Sequence, residues 1–100
     1  MKRIPASFQI GSLTFKVTRV SAEEMEKRAG IPAYGLFLPD SQEILVHTAG
    51  KDCSAALASQ AFYHELGHAI LWVMSHKDQK NEKVVDHLGH ILKQFADTAK

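Results

Sequence analysis

The hydrophobic pattern of this chain changes period once, near Gly50, and no other feature constrains the fold as tightly. Before the switch, Phe8 and Ile10, then Leu13, Phe15 and Val17, recur at every second residue, the period of strands with one buried face. Gly11–Ser12 breaks the alternation as a tight turn, so the segment reads as a short hairpin. Ser21 stands three residues ahead of Glu24, a capping box that opens a short helix over 22–29, closed by Gly30 and Pro32. Strand pattern returns at 34–38 and 43–48 around a turn at Pro39, Asp40 and Ser41. The expected order of the first half is β-α-β-β or β-β-α-β-β.

After Gly50 the spacing becomes helical. From Asp52 to about His76 there is no proline, and Leu57, Ala61, Leu66, Ile70 and Val73 recur as one apolar stripe, with Asp52 or Ser54 as N-cap. A polar connector over 77–81 leads into a second helix from about Asn81 to Thr98, striped by Val84, Val85, Leu88, Ile91, Leu92 and Phe95. A chain of 100 residues without repeats or linkers holds one core. The expectation is therefore a single α+β domain over 1–100: mainly strands plus a short helix over 1–50, two long helices over 51–100.

Composition excludes several function classes. A net charge of +1 gives no electrostatic case for a nucleic-acid or membrane-surface partner. No apolar run approaches the roughly 18–20 residues that span a bilayer. Met1–Lys2–Arg3 mimics the start of a signal peptide, but Pro5, Ser7 and Gln9 break the stretch that should follow. A lone cysteine, Cys53, makes no internal disulfide and suits a reducing cytoplasm. Histidine is the unusual component, six in the chain against two tyrosines and one tryptophan.

Two of those histidines frame the motif His64-Glu65-Leu66-Gly67-His68, an HExxH sequence inside the first long helix. On a helix, residues i and i+4 share a face, so both imidazoles can reach one metal ion. Glu65, rotated about 100° from His64, stands beside the ion, where it can take a proton from metal-bound water. Zinc suits two imidazoles and a carboxylate with a fourth position left for water.

The third ligand has to come from elsewhere. The longer HExxHxxGxxH pattern fails because Leu71 and Met74 occupy the required positions, and the inverted HxxEH order is absent. Glu82 and Asp86, i and i+4 at the start of the next helix, offer two carboxylates on one face. Glu82 can complete the ligand set, and Asp86 can accept the outward N–H of a ligand histidine. Alternatively both are solvent-facing acids that the helix macrodipole favours in a first turn.

HExxH followed by Asn81-Glu82-x-x-x-Asp86 resembles the gluzincin metallopeptidases. The short spacing, the chain length and the Tyr34–Gly35 hairpin leading into Glu43–Thr48 look closer to small zinc-peptidase-like proteins of phages and prophages related to the ImmA/IrrE metallo-endopeptidases, a resemblance that covers residues 34–96. The resemblance implies a minimal zincin-like fold: a small antiparallel or mixed sheet, the HExxH helix, and a C-terminal helix carrying the third ligand. It implies Zn²⁺ held by His64, His68 and Glu82, with Glu65 as general base and Asp86 supporting a ligand histidine. It further implies cleavage of a peptide or protein substrate in the cytoplasm, of a bacterial host if the chain is phage-encoded. A chain this short has no second lobe to wall a cleft, so a shallow groove, a protein partner or a homo-oligomer would complete it. An exposed edge strand, 34–38 or 43–48, can hold extended peptide. A donor for the tetrahedral oxyanion could be Tyr34, His47, Tyr63 or His87, none singled out by a motif. The alternative reading is a zinc-binding interaction or regulatory module with little turnover; a third is a metal-free α+β interaction protein.

The remaining expectations are structural. His87 and His90 read as surface or partly buried residues, and His76 as a helix-end residue. Cys53, at the mouth of a helix, has a setting that can lower a thiol pKa. Trp72, Met74 and Phe62 should pack in the core or between helices. Gly67 and Gly89 permit close helix approach, and Lys77, Lys80 and Lys83 form a solvated charge cluster.

Overall fold

The alternating half builds a four-stranded mixed sheet, and the helical half lies across one of its faces. The computed structural model describes residues 4–50 and 53–99; Met1–Lys2–Arg3 and the candidate cap Asp52 lie outside them. Strand β1 (Ser7–Ile10) pairs antiparallel with β2 (Leu13–Val20), closing Ile10 against Leu13 across the predicted turn. Gly11 takes φ 61°, a left-handed value that glycine accepts without steric cost. Helix α1 (Ala22–Ala29) begins where the Ser21 hydroxyl accepts from the Glu24 N–H at 3.2 Å and ends at Gly30, φ 82°. β3 (Gly35–Leu38) and β4 (Glu43–His47) form a second hairpin. The sheet order is β1-β2-β4-β3, with β2 and β4 parallel.

The order puts β4 inside the sheet, so 43–48 is not an edge strand. Ile44, Leu45 and Val46 are fully buried, and β3 is the edge on that side.

Strand parity decides which side chains meet α2 (Ala55–Val73). Phe15, Ile44 and Val46 pack with Ala58, Phe62 and Ala69 of that helix. Phe8 stacks on Phe15 at 5.3 Å and meets Phe62 edge-on, and Trp72 sits edge-on to Phe15 and Phe37. The opposite parity faces α1, whose Met25 is fully buried. There Arg28 of α1 approaches Glu43 of β4 at 4.0 Å.

Helix α3 (Glu82–Thr98) packs against α2, capped by the Asn81 side chain, which accepts from the Lys83 and Val84 N–H groups. Helix α2 is therefore enclosed by the sheet and α3, and the single stripe expected from spacing needs correction. Leu57, in that stripe, is 40% exposed, while Ala58, Phe62 and Leu71 outside it are buried. Ile91 and Phe95 of the α3 stripe are also exposed, at 51% and 69%, because α3 is wetted on every side but one. α2 stops at Val73, short of His76, so Met74 projects into solvent instead of the core. Phe62 is buried as expected. Cys53 is buried, which pushes its thiol pKa up, opposite to the shift a helix mouth suggested.

Candidate metal centre

Where α2 crosses α3, two glycines remove the side chains that would hold the helices apart. A Cβ at Gly89 would stand 3.0 Å from His64 Cα and 3.1 Å from the Tyr63 carbonyl oxygen; one at Gly67 would stand 3.1 Å from the Val85 carbonyl oxygen. These are backbone atoms, which cannot swing aside as a side-chain tip can. The close approach predicted for this pair is present, and it carries Glu82 over the two HExxH imidazoles.

His64 Nε2 lies 2.9 Å from Glu82 Oε2, and His68 Nε2 lies 3.1 Å from Glu82 Oε1. One ligand atom from each of the three residues falls within 4.8 Å of the others. The far side of each ring faces an oxygen, hydrogen-bonded at His68 and more distant at His64. His68 Nδ1 is 2.8 Å from the Gln79 carbonyl oxygen, and His64 Nδ1 is 3.6 Å from Asp86 Oδ1. Asp86 in turn stands 3.5 Å from His90.

A carbonyl oxygen only accepts, so His68 Nδ1 carries the hydrogen. In a neutral ring, Nε2 is then a bare lone pair aimed at a carboxylate oxygen. Two acceptors at that distance need a proton or a cation between them, and a divalent ion could serve both rings together. The donor set, two imidazole nitrogens and one carboxylate, suits a borderline ion such as zinc.

Glu65 sits on the cleft side of α2, under the edge strand. A Cβ at Gly35 of β3 would fall 2.9 Å from Glu65 Cγ and 3.3 Å from the Ala61 carbonyl oxygen. Burial under β3 is the main reason the Glu65 carboxyl is pushed up to about 7; the Glu82 charge adds to the rise, while His68 and the Phe37 backbone oppose it. The cleft beside it encloses about 750 Å³ between β3 and the residues before it, α2 and the loop between the two long helices. His64, Glu65, His68 and Glu82 all line it, with Phe37 and Trp72 as apolar wall.

No family model, curated protein or solved structure matches this chain. The geometry therefore carries the functional argument by itself.

The four oxyanion candidates do not line this cleft. Gly35 and Val46, paired across β3 and β4, face α2; their neighbours Tyr34 and His47 have the other parity and line a separate concavity with Glu26 of α1. His47 Nδ1 is occupied by the Thr48 carbonyl oxygen at 2.8 Å. Tyr63 is buried edge-on to Phe62, with its hydroxyl pKa raised by burial, and His87 is exposed on α3. His76 lies beyond the end of α2, where its Nδ1 accepts from the Asp78 N–H at 3.0 Å.

Sequence reasoning missed four contributors. Gly35 carries no motif, and only the approach of β3 to α2 reveals its use. Gln79 acts through its backbone, which no side-chain pattern reports. Lys77 and Lys80, expected as part of a solvated cluster, are exposed but line the cleft, whereas Lys83 does not.

Proposed function

We propose that this protein is a zinc-dependent hydrolase of peptide bonds, with His64, His68 and Glu82 holding the ion and Glu65 moving the proton. The observation that carries the reading is the convergence of both Nε2 atoms on one carboxylate, with a fixed acceptor behind His68. Zinc held by such a set supplies Lewis acidity at neutral pH.

Glu65 lines the same cleft as the three ligand residues and lies against β3, whose Phe37 backbone N–H donates to its carboxyl. A carboxyl with a pKa near 7 in the metal-free protein suits a group that must accept a proton and then return it to a leaving amine. A bound cation lowers that value and keeps the carboxylate ready to accept. The free edge of β3 offers backbone N–H and C=O groups along which an extended peptide can lie.

The test compares zinc-loaded wild type with Glu65→Gln on an unbiased peptide library, at equal metal content. Cleavage should fall by about 10²–10⁴-fold, the usual contribution of general acid–base catalysis. Equal rates in the two proteins would refute the role of Glu65. One observation favours a second reading, a zinc-binding interaction module: none of the aromatic or imidazole donors expected to stabilise an oxyanion reaches the cleft. That reading predicts one zinc per chain and no cleavage by either protein.

A further inference from the structure

The loop between α2 and α3 does two things at once. Its Gln79 carbonyl oxygen holds His68 at 2.8 Å, and its Lys77 and Lys80 enter the lining of the cleft. Asp78, between them, is turned to His76 at 3.9 Å, and neither lysine forms an ion pair among the described residues. The other charged residues that line the cleft are Glu65 and Glu82. Without a cation, two lysines face two carboxyl groups. With a divalent ion on His64, His68 and Glu82, the cleft carries an excess of two positive charges, in a chain whose whole net charge is +1. A concave site with excess charge of one sign concentrates ligands of the other sign.

We propose that the metal-loaded cleft selects polypeptide segments bearing an aspartate or glutamate near the metal-facing peptide bond, with Lys77 and Lys80 receiving that carboxylate. The proposal rests on the metal-centre reading and adds a substrate class to it. Phe37 and Trp72 give the same cleft an apolar wall, so the favoured segment combines an acidic residue with neighbouring apolar ones. Both lysines are exposed, so replacing them leaves the core untouched.

The experiment uses the zinc-loaded full chain and fluorescein-labelled decapeptides of Ala, Leu and Phe, in which one Glu, or its neutral match Gln, is walked along the sequence. Binding is read by anisotropy and cleavage by mass spectrometry, at low and high salt. For at least one placement, the Glu peptide should bind on the order of three- to tenfold more tightly than its Gln match, as expected for two exposed charge pairs. The preference should shrink at high salt. It should vanish in the Lys77→Met/Lys80→Met double variant and invert in Lys77→Glu/Lys80→Glu. Equal binding of Glu and Gln peptides at every placement, or a preference that survives the double variant, overturns the proposal. Cleavage is scored separately: a lysine-dependent preference without cleavage supports this inference and refutes the hydrolase reading. Cleavage without preference does the reverse.

Discussion

Helix α2 meets its two neighbours by different means. Against the sheet it presents Ala58, Phe62 and Ala69 to a bed of Phe8, Phe15, Ile44 and Val46, where side chains fill the space and aromatic rings meet edge-on or stacked. Against α3 it presents Gly67 and the backbone of Tyr63 and His64 to Val85 and Gly89, where backbone closely approaches backbone and the buried Val85 side chain fits over Gly67. The first contact is a hydrophobic core whose energy scales with buried apolar area. The second brings polar groups on both helices into register and has no slack. The difference separates what keeps the chain folded from what keeps the candidate site assembled, and substitutions on the two faces should fail in different ways.

The largest effect is expected on the sheet side. Phe62 is 2% exposed, and Phe62→Ala should cost about 3–5 kcal/mol in urea-induced unfolding, as for other buried aromatics. Zinc affinity of the fraction that remains folded should stay within about threefold of wild type, because α2 still meets α3 through the same glycines. A fall in affinity parallel to the fall in stability would break the proposed separation.

The site side carries a cost of its own. Glu65 has its carboxyl pushed from 4.5 to about 7 in the metal-free protein, so the fold favours the protonated acid. The sign follows from linkage: the stability tied to the neutral form is fully present below pH 4.5 and is lost as pH rises through 7. In chelator, Glu65→Gln and wild type should unfold together at pH 4. By pH 8 the variant should be the more stable by roughly 2–3 kcal/mol, after allowance for the partial exposure of Glu65 to the cleft. Thermal melts across this range check the sign, and a variant less stable than wild type at pH 8 would contradict it.

The close approach itself can be probed with one methyl group. Gly89→Ala places a Cβ against the His64 backbone, and overpacking of this kind costs about 1–3 kcal/mol. The helices must move apart to accept it, so zinc affinity should drop well beyond what the stability loss explains, the opposite pattern to Phe62→Ala. Calorimetric titration of both variants with zinc makes the comparison direct.

The same contrast marks what could be read from the sequence. Features set by neighbours along the chain were legible: the Gly11 turn, the Ser21 cap, the period change after Gly50, and the i, i+4 placement of His64 with His68. Glu82 was legible only because a helix start after HExxH makes its carboxylate meaningful. Features set by tertiary approach were not. Burial of α2 on two sides erases a single stripe, so Leu57 was expected inside and lies outside. Tyr34 and His47 were candidate donors by residue type alone, with no motif behind them, and strand parity turns them to the face toward α1. Gly35, the Gln79 carbonyl and the cleft position of Lys77 and Lys80 depend on which element crosses which, and no local spacing encodes that.

The smallest expected effect separates the two histidines themselves. His68 is held by a backbone carbonyl at 2.8 Å in a partly buried setting; His64 faces the side chain of Asp86 at 3.6 Å, beyond hydrogen-bonding distance, and that side chain is 59% exposed. A partner behind a ligand histidine typically changes metal affinity by about 10–100-fold. Asp86→Ala should sit at the low end, about tenfold or roughly 1.4 kcal/mol, since water can replace an exposed carboxylate. Asp86→Asn keeps an acceptor oxygen and should recover most of the loss, while His90→Ala, one step further out, should change affinity by less than about threefold. If Asp86→Ala instead cost 100-fold, the carboxylate must close onto His64 when the ion binds. The two imidazoles would then be equally held, and the asymmetry between a backbone-fixed ligand and a loosely supported one would belong to the metal-free protein alone.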